Sequence, residues 1–327
     1  MTTFPLLQLP LLAMENVLCM LSPFELIDVS LTSSRAKKVI KNFSRTKETF
    51  PVSFSNGQHS ILFQQGRTTW SYGFEKISHI AYIHPFNTIM MLYQTTQIMK
   101  FSEEPLKDIM KWFDYAREVL NCKINSVTLD LGCCTNENMQ TIDWIAEQSN
   151  TLDYLTILND GQDSDDDLKY LMERINVLKS LQLMVQHYKD EFRMEIPGKP
   201  NRLLIGNSKF VDYDQLLRLK SPVIILRKSI LTNEEINRFL RSWMSCETHL
   251  ELKAFEINIS GPEAMNEIMD LPHEKTNDPE IVWAFKEYLM VGYVDNEMYT
   301  IKRCDGKKRA TVTVWYRTQW SLYMVVH

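Results

Sequence analysis

The feature that most constrains this chain is a loose alternation of strand-like and helix-like segments beginning at Lys123. Short apolar runs recur at Val127-Leu129-Leu131, Tyr154-Leu155-Ile157, Leu181-Leu183-Val185, Leu203-Leu204-Ile205, Val223-Ile225-Leu226 and Leu250-Leu252. Neighbouring runs lie about twenty to thirty residues apart. Helical patterns fill several of the gaps: Met139-Ile142-Ile145-Ala146, Leu168-Leu171-Ile175-Leu178 and Ile236-Phe239-Leu240-Trp243. Strand and helix in turn build an open parallel sheet or a curved solenoid. Thr232-Asn233-Glu234-Glu235 opens the last helix as a capping box.

The amino-terminal end is built differently. Leu11, Met14, Leu18 and Leu21 recur at three- and four-residue steps after Leu9-Pro10, and so share one helix face. Ser22-Pro23-Phe24-Glu25 starts a second helix: Ser22 caps it, Pro23 suits its first position, and Glu25 completes a capping box. Ser33 or Ser34 caps a third, with Ala36, Val39, Ile40 and Phe43 along one side. A segment this short buries little of its own apolar surface and needs a partner. That partner is another protein or the rest of this chain.

Between the two lies a β-rich stretch. Pro51-Val52-Ser53-Phe54, Ser60-Ile61-Leu62-Phe63 and Thr68-Thr69-Trp70-Ser71-Tyr72 read as strands, with Asn56-Gly57 as a hairpin turn. Further strands are expected near Ile80-Ile83 and Ile89-Tyr93. A helix capped by Ser102 follows, with Ile109, Trp112, Phe113 and Ala116 on one side.

Three stretches carry a resemblance. Leu9-Pro10, Val17-Leu18, Leu21-Ser22-Pro23-Phe24-Glu25-Leu26 and Ser34-Arg35 resemble an F-box. Ala36-Lys37-Lys38-Val39-Ile40 stands where that family often has an aromatic. Leu231-Thr232-Asn233-Glu234 with Asn237-Arg238-Phe239-Leu240-Arg241-Ser242-Trp243 resembles the core of the type 2 F-box-associated domain. Ile301 to Gly306 followed by Ala310-Thr311-Val312 resembles its carboxyl-terminal strand pair, and Asp305-Gly306 is independently a turn signal. With the F-box ahead of it, the chain is similar to a large nematode family of F-box proteins. The strand spacing is that of leucine-rich repeats, although no unit carries the full consensus with its Asn, and a plain α/β domain remains the alternative.

The fold class expected is α+β overall. A three-helix F-box spans 1–45, a small β-rich segment with its helix spans 46–122, and a degenerate leucine-rich-repeat-like α/β domain spans 123–327. The resemblance implies an adaptor that recognises a substrate protein and brings it to a Skp–cullin–F-box ubiquitin ligase. A protein-binding scaffold that uses the F-box without a cullin is the alternative. The residues expected to bind a Skp-family adaptor are Leu9, Pro10, Leu11, Met14, Val17, Leu18, Leu21, Pro23, Leu26, Ile27, Leu31, Arg35, Val39 and Ile40. The implied partners are that adaptor, through it a cullin, and a target protein whose binding residues the sequence does not assign. Cytoplasm or nucleus is the implied compartment.

The remaining chemistry points away from catalysis. The chain is 44% apolar and 24% charged with net charge −5, which suits a globular protein and gives no reason to expect nucleic acid or an anionic membrane as partner. No apolar run reaches spanning length, and no lysine or arginine precedes the Leu-rich start as in a signal peptide. Cys19, Cys122, Cys133, Cys134, Cys246 and Cys304 form no C-x-x-C pair and read as reduced thiols. No phosphate loop, hydrolase elbow or zinc-helix spacing is present; His79 and His84 stand five apart without such a carboxylate. Asp160 to Asp167 fails the calcium-loop pattern and fits a helix start at Ser164, where carboxylates suit the positive end of the dipole. No metal and no cofactor are therefore expected. The basic run Arg35, Lys37, Lys38, Lys41, Arg45 and Lys47 reads as a solvated face, or as one that meets an acidic partner.

Overall fold

A computed structural model describes residues 6–46, 50–76, 94–161, 164–289 and 297–327. The chain divides into two compact units, Met1–Asn150 and Thr151–His327. The overall class is α+β, with amino-terminal helices followed by extensive sheet. The strands expected near 80–83 and 89–93, and His79 and His84, lie outside the described residues.

In the first unit the three expected helices form: α1 Leu11–Cys19, α2 Pro23–Leu31 and α3 Ser34–Arg45. The capping box at Ser22 is complete, with Ser22 N–H donating to Glu25 Oε2 at 2.7 Å and Glu25 N–H donating to Ser22 Oγ at 3.3 Å. Ser33, not Ser34, caps α3 by accepting from Ala36 N–H at 3.1 Å. Then come β1 Pro51–Ser55, β2 Ser60–Gln65, β3 Thr68–Glu75, β4 Gln94–Phe101, α4 Pro105–Leu120, β5 Lys123–Asp130 and α5 Asn138–Gln148. Strands run in the order β5-β1-β2-β3-β4, parallel in the outer pairs β5-β1 and β3-β4 and antiparallel within the β1-β2-β3 meander. The expected Asn56-Gly57 hairpin joins β1 to β2. Ser102 does not stand at the N-cap of α4: its hydroxyl donates to Asp108 Oδ2 and accepts from Glu104 N–H, while Glu104 holds the N-cap position without a side-chain capping bond.

The three-helix module packs on this unit. The Phe24 ring of α2 stands edge-on to Phe63, Tyr72 and Trp112, with centroids 6.3, 5.8 and 6.3 Å away. Tyr72 and Trp112 stack at 4.0 Å. Ser30 Oγ meets the Tyr115 hydroxyl at 2.9 Å, and Lys37 and Lys41 pair with Glu118 at 2.8 and 3.2 Å. Part of the partner that the short module needs is thus its own α4.

In the second unit, β6 Thr151–Asn159, α6 Asp165–Arg174, β7 Asn176–Val185, β8 Arg202–Ile205, α7 Tyr213–Arg218, β9 Val223–Leu226, α8 Asn233–Met244 and β10 Ala254–Asn258 alternate as expected. Two boundaries differ from the expectation. Helix α6 stops at Arg174, so Leu178 lies on β7 and is exposed. The last parallel strand starts at Ala254, while Leu250 and Leu252 lie in the loop before it. The capping box at Thr232 is complete. Next are α9 Ala264–Ile268, β11 Glu274–Thr276, α10 Pro279–Leu289, β12 Met298–Lys302, β13 Arg309–Tyr316 and β14 Trp320–Val326.

Strands β6 to β10 pair in sequence and in parallel. β14 joins β10 antiparallel, and β13, β12 and β11 follow antiparallel in turn. One face carries Val223, Ile225, Ala254, Tyr323 and Val325 under Phe285 and Leu289 of α10. On the other face Phe255 meets Phe239 of α8 at 4.9 Å. Ile236, Phe239, Leu240 and Trp243 are all buried, as the helical spacing of that segment requires.

Candidate docking surface

The fourteen residues expected to bind a partner separate into layers. Leu18, Pro23, Leu26, Ile27 and Ile40 are buried within the first unit. Their side chains hold the helices together rather than face outward. Leu9, Met14, Val17, Leu21 and Val39 are half-buried, and Pro10, Leu11, Leu31 and Arg35 are exposed. Arg35 is engaged locally, donating from Nη2 to the Leu7 carbonyl at 3.2 Å.

The outward apolar surface is dominated by four side chains: Leu11, Leu12, Met20 and Leu31, exposed to 68%, 72%, 83% and 64%. Exposure of large apolar groups is costly in water. Leu12 and Met20 were not among the residues singled out by spacing. Leu12, Asn16 and Cys19 stand four and three apart, and all three are exposed, so they follow one face of α1 that continues to Met20. That face is offset from the Leu11-Met14-Leu18-Leu21 stripe, because the stripe turns Leu18 into the core. The doublet Leu11-Leu12, which puts a second Leu beside the stripe, is the sequence signal that would have found it.

The electrostatics of the module stabilise its helices. The Ser22 backbone N–H and hydroxyl hold the Glu25 carboxyl below its usual range. Lys37 and Lys41 hold Glu118 below its usual range as well. Two lysines of the basic run are therefore spent on α4, while Lys38 and Arg45 remain exposed. Among the described residues no group of three or more His, Cys, Asp or Glu side chains is placed to hold a metal ion. No described helix is long and apolar enough to cross a membrane.

The F-box domain family model matches residues 6–48, which contain α1, α2, α3 and the four exposed side chains. The F-box associated family model matches residues 191–257, from the loop before β8 to β10. The chain carries an F-box domain and an F-box associated domain. The Thr232 capping box and the buried Trp243 lie inside the second match, while the β12–β13 pair lies beyond it. Neither a curated protein nor a solved structure matches the chain.

Proposed function

We propose that the protein is the substrate-recognition subunit of a Skp–cullin–F-box ubiquitin ligase, working in the cytoplasm or nucleus. F-box domains generally bind a Skp-family adaptor, and such proteins are generally non-catalytic. The observation that carries the reading is the coincidence of the F-box match with Leu11, Leu12, Met20 and Leu31 standing exposed on it. In this reading the adaptor covers those four with Pro10 and the half-buried Leu9, Met14, Val17, Leu21 and Val39. Leu18, Pro23, Leu26, Ile27 and Ile40 support that surface from beneath, and Arg35 fixes the segment leading into α1. Burying each exposed Leu or Met contributes about 1.5–3 kcal/mol, from which the ordering and association costs are subtracted.

The region after the F-box then recruits a target protein. The reaction depends on proximity: held beside a ubiquitin-charged enzyme, the target's lysines reach a high effective concentration without any bond chemistry by this chain.

Leu12→Asp with Met20→Asp alters only exposed positions, so the fold is retained while the docking face acquires two charges. The double variant is expected to lose co-purification with a Skp-family adaptor at unchanged helicity by circular dichroism. Retention of the adaptor would overturn the docking assignment. Adaptor captured without cullin would replace the ligase by a scaffold.

A further inference from the structure

Helix α10 packs on one face of this sheet, with Phe285 and Leu289 among Val223, Ile225, Ala254, Tyr323 and Val325. Along that face Ile225, Glu256 and Tyr323 form one cross-strand row, since Glu256 pairs with Ile225 on β9 and with Tyr323 on β14. Beyond this row, between Arg227 at the carboxyl end of β9 and the β13–β14 turn, lies a cavity of about 220 Å³. Its lining includes Arg227, Glu256, Arg317, Gln319, Ser321 and Tyr323. Here β10 passes from a parallel neighbour to an antiparallel one.

The lining is rich in donors. Arg227 Nε lies 3.3 Å from Glu256 Oε1, a carboxylate almost fully removed from solvent. Burial pushes the Glu256 carboxyl up, against the pull of Arg227, Arg202 and Arg317. One carboxylate against the two lining guanidinium groups leaves positive charge in excess, in a chain whose net charge is −5. Gln319 Nε2 is buried in this wall with no hydrogen-bond partner. A buried N–H group without an acceptor is rare and calls for one. The Ser321 and Tyr323 hydroxyls add donors that rotate to suit.

We propose that this cavity binds an oxyanion, a carboxylate or phosphate group on a side chain of the recruited protein. Arg317 and Arg227 face its charge, and Gln319, whose Nε2 is enclosed in the wall, turns its amide outward to donate when the anion binds. Glu256 accepts from Arg227 Nε and so orients that guanidinium at the wall of the cavity. The identity of the carrier rests on the recruitment reading above; the anion site itself does not.

The test uses the full-length protein, calorimetry at constant ionic strength, and two blocked amino acids as probes: N-acetyl-phosphoserine amide and N-acetyl-glutamate amide. Saturable binding of either is expected. The tighter of the two identifies phosphate or carboxylate as the source. Arg317→Gln alters an exposed side chain and should weaken binding roughly tenfold or more. Tyr323→Phe, a second variant with little change in volume, should weaken it less. Binding of neither probe, or equal binding to wild type and Arg317→Gln, overturns the proposal. Either result is independent of adaptor co-purification, which tests the docking assignment separately.

Discussion

His249 shows how one residue can set the acid limit of the second unit. Its backbone is left-handed (φ 49°), its Nδ1 lies 2.6 Å from Thr248 Oγ1, and its ring stands edge-on to Phe239 at 5.1 Å. Nε2 is fully enclosed. Burial pushes its pKa down to about 4 from an ordinary 6.5. The folded state therefore binds the proton less readily than the unfolded chain. Stability is complete above pH 6.5, declines as pH falls, and is fully lost to this group below about 4. The decline should reach on the order of 2–3 kcal/mol. Thermal unfolding at pH 7 and pH 4 measures it; His249→Asn, which tolerates the left-handed backbone, should flatten the slope between those values. Ser22 makes a separate contribution. Ser22→Ala removes the acceptor for Glu25 N–H and should cost about 0.5–2 kcal/mol in chemical denaturation.

At the scale of elements, the repeated device is an asparagine near the carboxyl end of a strand. Asn56, directly after β1, is wholly buried; its Nδ2 donates to the Asp130 carbonyl at 2.8 Å and its Oδ1 accepts from Asp130 N–H at 2.7 Å. Asn207, just past β8, donates to the Gln186 carbonyl at 2.6 Å. Asn258, ending β10, accepts from Ser229 N–H and donates to the Ser229 carbonyl. Each satisfies backbone groups where the strand gives way to a turn. Asn56→Ala would strand both backbone groups of Asp130 and should cost on the order of 2–4 kcal/mol by urea unfolding. Asn207→Ala frees one carbonyl and should cost less than half of that. None of these asparagines was visible as a set from sequence, because their spacing in the chain is uneven. The strands themselves were legible, since parallel strands buried on both faces read as continuous apolar runs at Leu203 to Ile205 and Val223 to Leu226. The helices at Ser22 and Thr232 were legible because a capping box is local chemistry. Leu178 and Leu250 misled, since an isolated Leu carries no mark of whether it extends a helix, a strand or a loop.

At the scale of the first unit, the sequence reading set the F-box apart from the β-rich stretch, whereas packing ties the two together. Periodicity reports which face of a helix is apolar but not what covers it. Phe24 has no sequence sign that it will sit among Phe63, Tyr72 and Trp112, more than thirty residues away. The same gap explains the mixed fate of the docking residues: Leu18, Ile27 and Ile40 carry the family spacing yet face inward. A consequence is that the docking module and its support should lose stability together. Phe24→Ala removes a buried ring from the aromatic group and should cost about 3–5 kcal/mol. A chain starting at residue 46 should fare worse, because Phe63, Tyr72 and Trp112 would then face water while Glu118 loses both lysines. It is expected to melt at lower temperature and to bind more of an apolar dye than the full chain does. If the truncated chain melted as the full one does, the F-box would be an independently tethered module, and Phe24→Ala would then leave the sheet and α4 untouched. If both lose stability, the exposed Leu12 and Met20 are presented on a rigid support. The ordering cost of adaptor binding would then be largely met by the fold itself.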